Sequence, residues 1–183
     1  TSLRDADDYE KRFHRSLSAS AELYPLLARV LSEWGENEKA IWVAQKGLKL
    51  SEHWGRIATE EVCLSYLGRA LVFGNDWEQA HQVFQRADTL ARKISTTYWQ
   101  TRALFALDSM LDCEMVRTVE IAQQVQRLQE SGAALPDLLA ARLALKNDHP
   151  EDALVLLQKA LAGLKGRSSF DVVRIRAMQA MAF

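Results

Sequence analysis

Cysteine is scarce in this chain: Cys63 and Cys113 are the only two among 183 residues, and neither belongs to a CxxC pair or a Cys/His cluster. That excludes a zinc centre or a disulfide framework, and each thiol, set in an apolar-periodic segment, is expected to pack as a small hydrophobe. Long apolar runs are missing too. No stretch approaches the roughly 20 residues a membrane-spanning helix needs, and the opening TSLRDADDYEKRF is too charged for a secretory signal. A cytoplasmic protein without membrane contact is expected. Neither sign of charge dominates: 23 basic against 24 acidic residues leave −1, so no long-range pull toward nucleic acid or an anionic membrane arises.

The parts of a catalytic centre are equally sparse. His14, His53, His81 and His149 are scattered without metal-ligand spacing, and neither GxxxxGK[ST] nor GxGxxG occurs. Gly163 and Gly166 frame Leu164-Lys165 but lack the spacing and the Ser/Thr of a phosphate loop. The acidic pairs Asp7-Asp8 and Glu60-Glu61 are sequence neighbours, which on a helix point about 100 degrees apart, so they read as helix-start charges rather than a dyad. The expectation is a non-enzyme with no cofactor and no metal.

What is present is a repeat. The segment LSYLGRALVFGNDWEQAHQVFQRA, residues 64 to 87, fits the tetratricopeptide pattern of small and large residues on paired helices. Leu64, Leu67-Gly68 and Leu71 fill the first-helix slots; Ala80, Phe84 and Ala87 fill the second. Small residues are wanted where antiparallel helix backbones cross, with large ones filling the gaps beside them. The register recurs with Tyr24, Leu27-Ala28 and Leu31, then Ala40, Ala44 and Gly47. It continues with Phe105-Ala106, Thr118, Ala122 and Val125, and with Ala140-Ala141, Ala153, Leu157 and Ala160. Tyr9, Phe13 and Ser16 suit the second helix of a truncated earlier copy.

This pattern predicts helices over about 5–18, 22–34, 37–54, 57–73, 76–95, 97–112, 115–131, 136–146, 150–164 and 168–183. Gly35, Gly55, Gly74 and Gly132 fall just past helix ends, where a left-handed residue costs glycine least. Pro25, Pro136 and Pro150 fall near helix starts. The fold class expected is all-α: a tetratricopeptide-like right-handed superhelix of antiparallel hairpins, one domain over 1–183. Its repeats are placed at about 21–55, 57–95, 97–132 and 136–166, with partial repeats at both ends. A chain that opens without Met and closes at Phe183 inside an apolar-periodic stretch reads as a piece of a longer protein.

First helices of such an array line a concave face, and binding is expected there. The residue after the crossing slot is arginine in three copies: Arg29, Arg69 and Arg142, with Leu107 in the other. A guanidinium presents a fixed fork of donors suited to carboxylate or phosphate, so this ladder could hold an anionic ligand or an acidic peptide. Ser65, Tyr66 and Gln100 fall near the same surface. The plainer reading is local pairing with carboxylates such as Glu33 or Glu61. Of the five tryptophans, Trp34, Trp77 and Trp54 flank turns and helix ends. Trp42 and Trp99 are less constrained: exposed, either would suggest a sugar-stacking or partner-contact position, and a core or inter-repeat position is the plainer expectation.

The stretches LLARVLSEWGENEKA, GLKLSEHWG and LGRALVFGNDWEQAHQVFQRADTLAR together resemble the helical region of the large ATP-dependent LuxR-type regulators, the MalT-like family. The resemblance rests on Glu33-Trp34, on Leu50-Ser51 to Trp54-Gly55 and on a repeat nearer 40 residues, and it covers roughly Tyr24 to Arg92. It implies a nucleotide-binding switch module before the array and a DNA-binding helix-turn-helix after it. The array itself would be the sensing region, taking a small inducer or a partner protein without touching DNA. The alternative is a general scaffold that docks a peptide or helix.

Overall fold

A computed structural model describes residues 20–111, 118–132, 136–163 and 175–180. Among them the secondary structure is helical, in antiparallel neighbours: α1 (Ser20–Glu33), α2 (Asn37–His53), α3 (Ile57–Phe73), α4 (Trp77–Ile94), α5 (Thr96–Leu111), α6 (Thr118–Glu130), α7 (Pro136–Lys146) and α8 (Pro150–Gly163), with residues 175–180 helical as well. The expected segment 5–18 and most of 168–183 lie outside the described residues. Two compact units divide the chain, Thr1–Arg102 and Ala103–Phe183, the boundary falling within α5.

In the first unit α1 packs on α2, α2 on α3 and α3 on α4, and α1 also lies against α3. The small residues expected at the crossings are there. Ala28, Ala40, Ala44 and Ala80 are fully buried, flanked by buried Tyr24, Leu64, Leu67, Leu71 and Phe84. Each large side chain removed from water this way contributes about 1.5–3 kcal/mol. Gly47 fits where a Cβ would stand 2.5 Å from Tyr24 Cβ and 2.9 Å from Cys63 Sγ, so its hydrogen lets α2 press on α1 and α3 together.

One turn joins the first four helices three times over. Glu36 N–H donates to the Leu31 carbonyl and Gly35 N–H to that of Ser32; the same pair of bonds recurs at Arg56 and Gly55, and at Asp76 and Asn75. This six-to-one, five-to-two pairing closes a helix whose next residue is left-handed. The left-handed residues are Gly35 (φ 77°), Gly55 (φ 63°) and Asn75 (φ 61°). Gly74, expected in that role, has φ −82° and stands one residue ahead of the turn's left-handed position; Asn75 holds that position, which a short polar side chain tolerates. Asp76 then caps α4, accepting from Gln79 N–H at 3.2 Å. Pro25 also departs from expectation: it lies inside α1 rather than near its start, which leaves the Ala21 carbonyl without the usual donor. Pro136 and Pro150 open α7 and α8 as expected.

In the second unit α7 packs on α8 and on α6. Buried Leu138, Ala141, Ala153, Leu157 and Ala160 form one cluster with Ile175 and Met178, so the 175–180 segment closes the α7–α8 pair. The α7–α8 turn repeats the first unit's hydrogen bonds, with Asp148 (φ 61°) as its left-handed residue.

Candidate functional site

The arginines singled out by spacing are engaged by their own surroundings. Arg29, on the exposed side of α1, donates from Nε to Glu33 Oε1 at 2.9 Å. Glu33 and then the Tyr66 phenol raise its already high pKa, which brings Tyr66 of α3 to the same spot. Arg69 is half-buried, its guanidinium 5.2 Å from the Phe73 ring centroid. Arg142 is half-buried, donating to the Asp108 carboxylate and, at 3.0 Å, to the Asp108 carbonyl. Gln100 is half-buried on α5, and Leu107, at the ladder position of the third copy, is buried. Ser65 is buried, its hydroxyl donating to Glu61 Oε1 at 2.6 Å.

Glu61 is the residue that spacing missed. It is 0% exposed. Besides Ser65 it accepts from the Tyr98 hydroxyl at 2.7 Å and from Arg102 Nε at 3.0 Å, so one carboxylate ties the first half of α5 to α3. Burial, then the hydrogen bond and charge of Glu61, raise the Tyr98 phenol above its ordinary range, while Arg102 opposes. The available signal was register: Glu61 stands 40 residues after Ala21, itself fully buried, on the stripe of Leu64, Gly68 and Leu71. A carboxylate on such a stripe must bring its partners with it. Beside it, burial pushes the Cys63 thiol from 9.0 up to about 12, opposed by a hydrogen bond with Ser51 and reinforced by Glu60 and Glu61.

Among the described residues, exposed aliphatic side chains are concentrated on α1. Leu23, Leu26 (58%) and Val30 are exposed on one stripe, at a spacing that lines up along a helix. Forty residues on, the same positions are Cys63, Tyr66 and Ala70; Cys63 and Ala70 are fully buried and Tyr66 is half-buried. Trp34 (77%) and Trp42 (58%) are also exposed, so Trp42 is not the core residue expected of it. Lys46 Nζ lies 5.4 Å from the Trp42 ring and 5.5 Å from that of Tyr24. Trp99 is half-buried; its indole N–H donates to Asp88, and Arg92 stacks 4.0 Å from its ring.

A cleft of about 570 Å³ opens in the second unit, walled by α6 and α8 over a floor from α7 that includes Leu143 and Ala144. None of the arginine-ladder residues lines it. Among the described residues no group of three or more His, Cys, Asp or Glu side chains is placed to hold a metal ion, and no helix is long and apolar enough to cross a membrane. Comparisons with protein-family models, with curated proteins and with solved structures return no match.

Proposed function

We propose that this chain is a non-catalytic interaction and sensing region built as a tetratricopeptide-like right-handed superhelix, and that it works by seating helical polypeptide against open hairpin faces. One observation carries this reading. The face of α3 that carries Cys63 and Ala70 is covered by the preceding hairpin, whereas among the described residues nothing covers the equivalent face of α1, where Leu23, Leu26 and Val30 are exposed. An open stacking face fits a helix that presents small side chains along one stripe, as α2 does with Ala40, Ala44 and Gly47. Ion pairs at a 34-residue interval, Glu22–Arg56 and Glu52–Arg86 in the first unit and Asp108–Arg142 in the second, further support a recurrent architecture.

The setting is a MalT-like ATP-dependent transcriptional regulator, on the strength of the resemblance between Tyr24 and Arg92. There a bound inducer or partner acts only through its differential affinity for two states of the whole protein. Internal pairing of Arg29 and Arg142 favours a polypeptide over a small anion as the bound species, since an anion would have to displace Glu33 or Asp108. Outside such a regulator the same surface serves as a general docking scaffold.

The test uses a labelled peptide of the α2 sequence, residues 37–53, titrated against the intact chain by fluorescence anisotropy. Saturable binding that is lost in Leu26→Asp and in Val30→Asp is expected. Affinity unmoved by both substitutions rejects the α1 face as a docking surface. For the regulator setting, a nucleotide-binding loop encoded before this chain and a helix-turn-helix after it are the expected finding; their absence leaves the scaffold.

A further inference from the structure

The cleft of the second unit is a separate site, and it does not depend on the α1 face. Its walls are helical stripes: Val125, Gln126 and Gln129 of α6 face Asp152, Val155 and Leu156 of α8. The α6 wall, counted from Ala122 to Gln129, extends about two helical turns, about 11 Å, and the α8 wall, from Asp152 to Leu156, a little over one turn, about 6 Å. A volume of about 570 Å³ lies within the roughly 300–1,000 Å³ of ligand-sized sites. Val155 is 66% exposed, a large aliphatic side chain left in water at the lip of an apolar trough.

The charge of the lining is one-sided. No lysine or arginine lines the cleft, and one carboxylate, Asp152, does. Asp152 forms no ion pair among the described residues. Glu151 and Asp152 both stand in the first turn of α8 and complement the positive end of that helix; Asp152 is the one that lines the cleft, where its exposed carboxylate can meet a cation. Gln126 and Gln129 offer amides at the opposite wall, although each also donates within the protein, to Glu130 and Asp137.

We infer that this cleft binds a short amphipathic helical segment of another polypeptide, with aliphatic residues at helical spacing against Val125, Val155 and Leu156 and a lysine or arginine paired to Asp152. Apolar burial supplies most of the affinity, and the carboxylate selects for the basic flank.

The probe is a fluorescein-labelled amphipathic peptide of about 14 residues, about 21 Å as a helix, with leucine on one stripe and lysine along its edge. A twin carries glutamate in place of lysine. Binding of the lysine peptide to the intact chain is expected, with Val155→Asp weakening it at least about tenfold and Asp152→Asn about threefold, an exposed-pair effect. Both substitutions sit on exposed positions, and unchanged circular dichroism verifies the fold. The glutamate twin is expected to bind more weakly than the lysine peptide, with the difference shrinking in Asp152→Asn. Equal binding of the two peptides, or full affinity in Val155→Asp, overturns the inference, as does absence of binding by the lysine peptide at about 1 mM. Leu26→Asp separates the two sites: retained affinity is expected, and loss there with retention in Val155→Asp assigns the peptide to α1 and rejects the cleft.

Discussion

The ring of Phe84 lies against the bare Cα of Gly68: a Cβ added there would stand 2.8 Å from two ring carbons. Phe84 is buried, so its ring has nowhere to withdraw without moving α4. Gly68→Ala gains about 1 kcal/mol of helix propensity but forces an overpacked crossing, which costs about 1–3 kcal/mol. The expected outcome is a net loss of up to about 2 kcal/mol in urea unfolding, largely recovered in Gly68→Ala/Phe84→Leu. A stabilised single variant would show that the two helices can part freely.

Removing the shared carboxylate tests the α3–α5 tie. Glu61→Gln keeps the size but removes the carboxylate charge that faces Arg102, 16% exposed at its side chain; breaking such a pair costs about 3 kcal/mol. Tyr98→Phe removes one donor and costs about 1 kcal/mol. Combined with Tyr98→Phe, Glu61→Gln is expected to cost less than the sum of the singles, because both act on one network. Chemical denaturation of the three variants measures the coupling.

Alkaline pH is expected to weaken the first unit. The Cys63 thiol titrates near 9.0 when exposed and at about 12 when folded, so between these values the folded chain holds a proton that the unfolded chain has lost. Its contribution is complete below about pH 9 and falls away as pH rises toward 12. Tyr98, also raised, acts with the same sign. In a Cys113→Ser background the urea midpoint should decline above about pH 9, less steeply when Cys63 is also replaced by Ala, and a thiol reagent should label Cys63 only on unfolding.

Much of the fold could be read from the residues because packing and pattern share one cause. Ala28, Ala40 and Gly68 are buried, the last against the Phe84 ring, and close packing at such small residues fixes the helices around them. The predicted helix limits 37–54, 57–73 and 136–146 differ from the observed ones by at most one residue. The site was less legible. Local spacing offered Glu33 as a partner for Arg29, four residues on, but could not offer Asp108 for Arg142, since Asp108 lies 34 residues away. Glu61 was taken for a helix-start charge because its two tertiary partners, Tyr98 and Arg102, lie 37 and 41 residues further on. The cleft was not legible for a related reason: its lining comes from three helices, and nothing local in the sequence marks Val155, which is 66% exposed, as its border.

The left-handed residues Gly35, Gly55 and Asn75 fall at equal steps of 20. The three joints also share one pattern of hydrogen bonds. Excising residues 36–75 would splice Gly35 directly to Asp76, giving α1 the same exit into α4 that it now has into α2. Such a deletion keeps the phase of the joint, whereas a one-residue insertion inside a helix would rotate everything beyond it by about 100 degrees and scramble the seams.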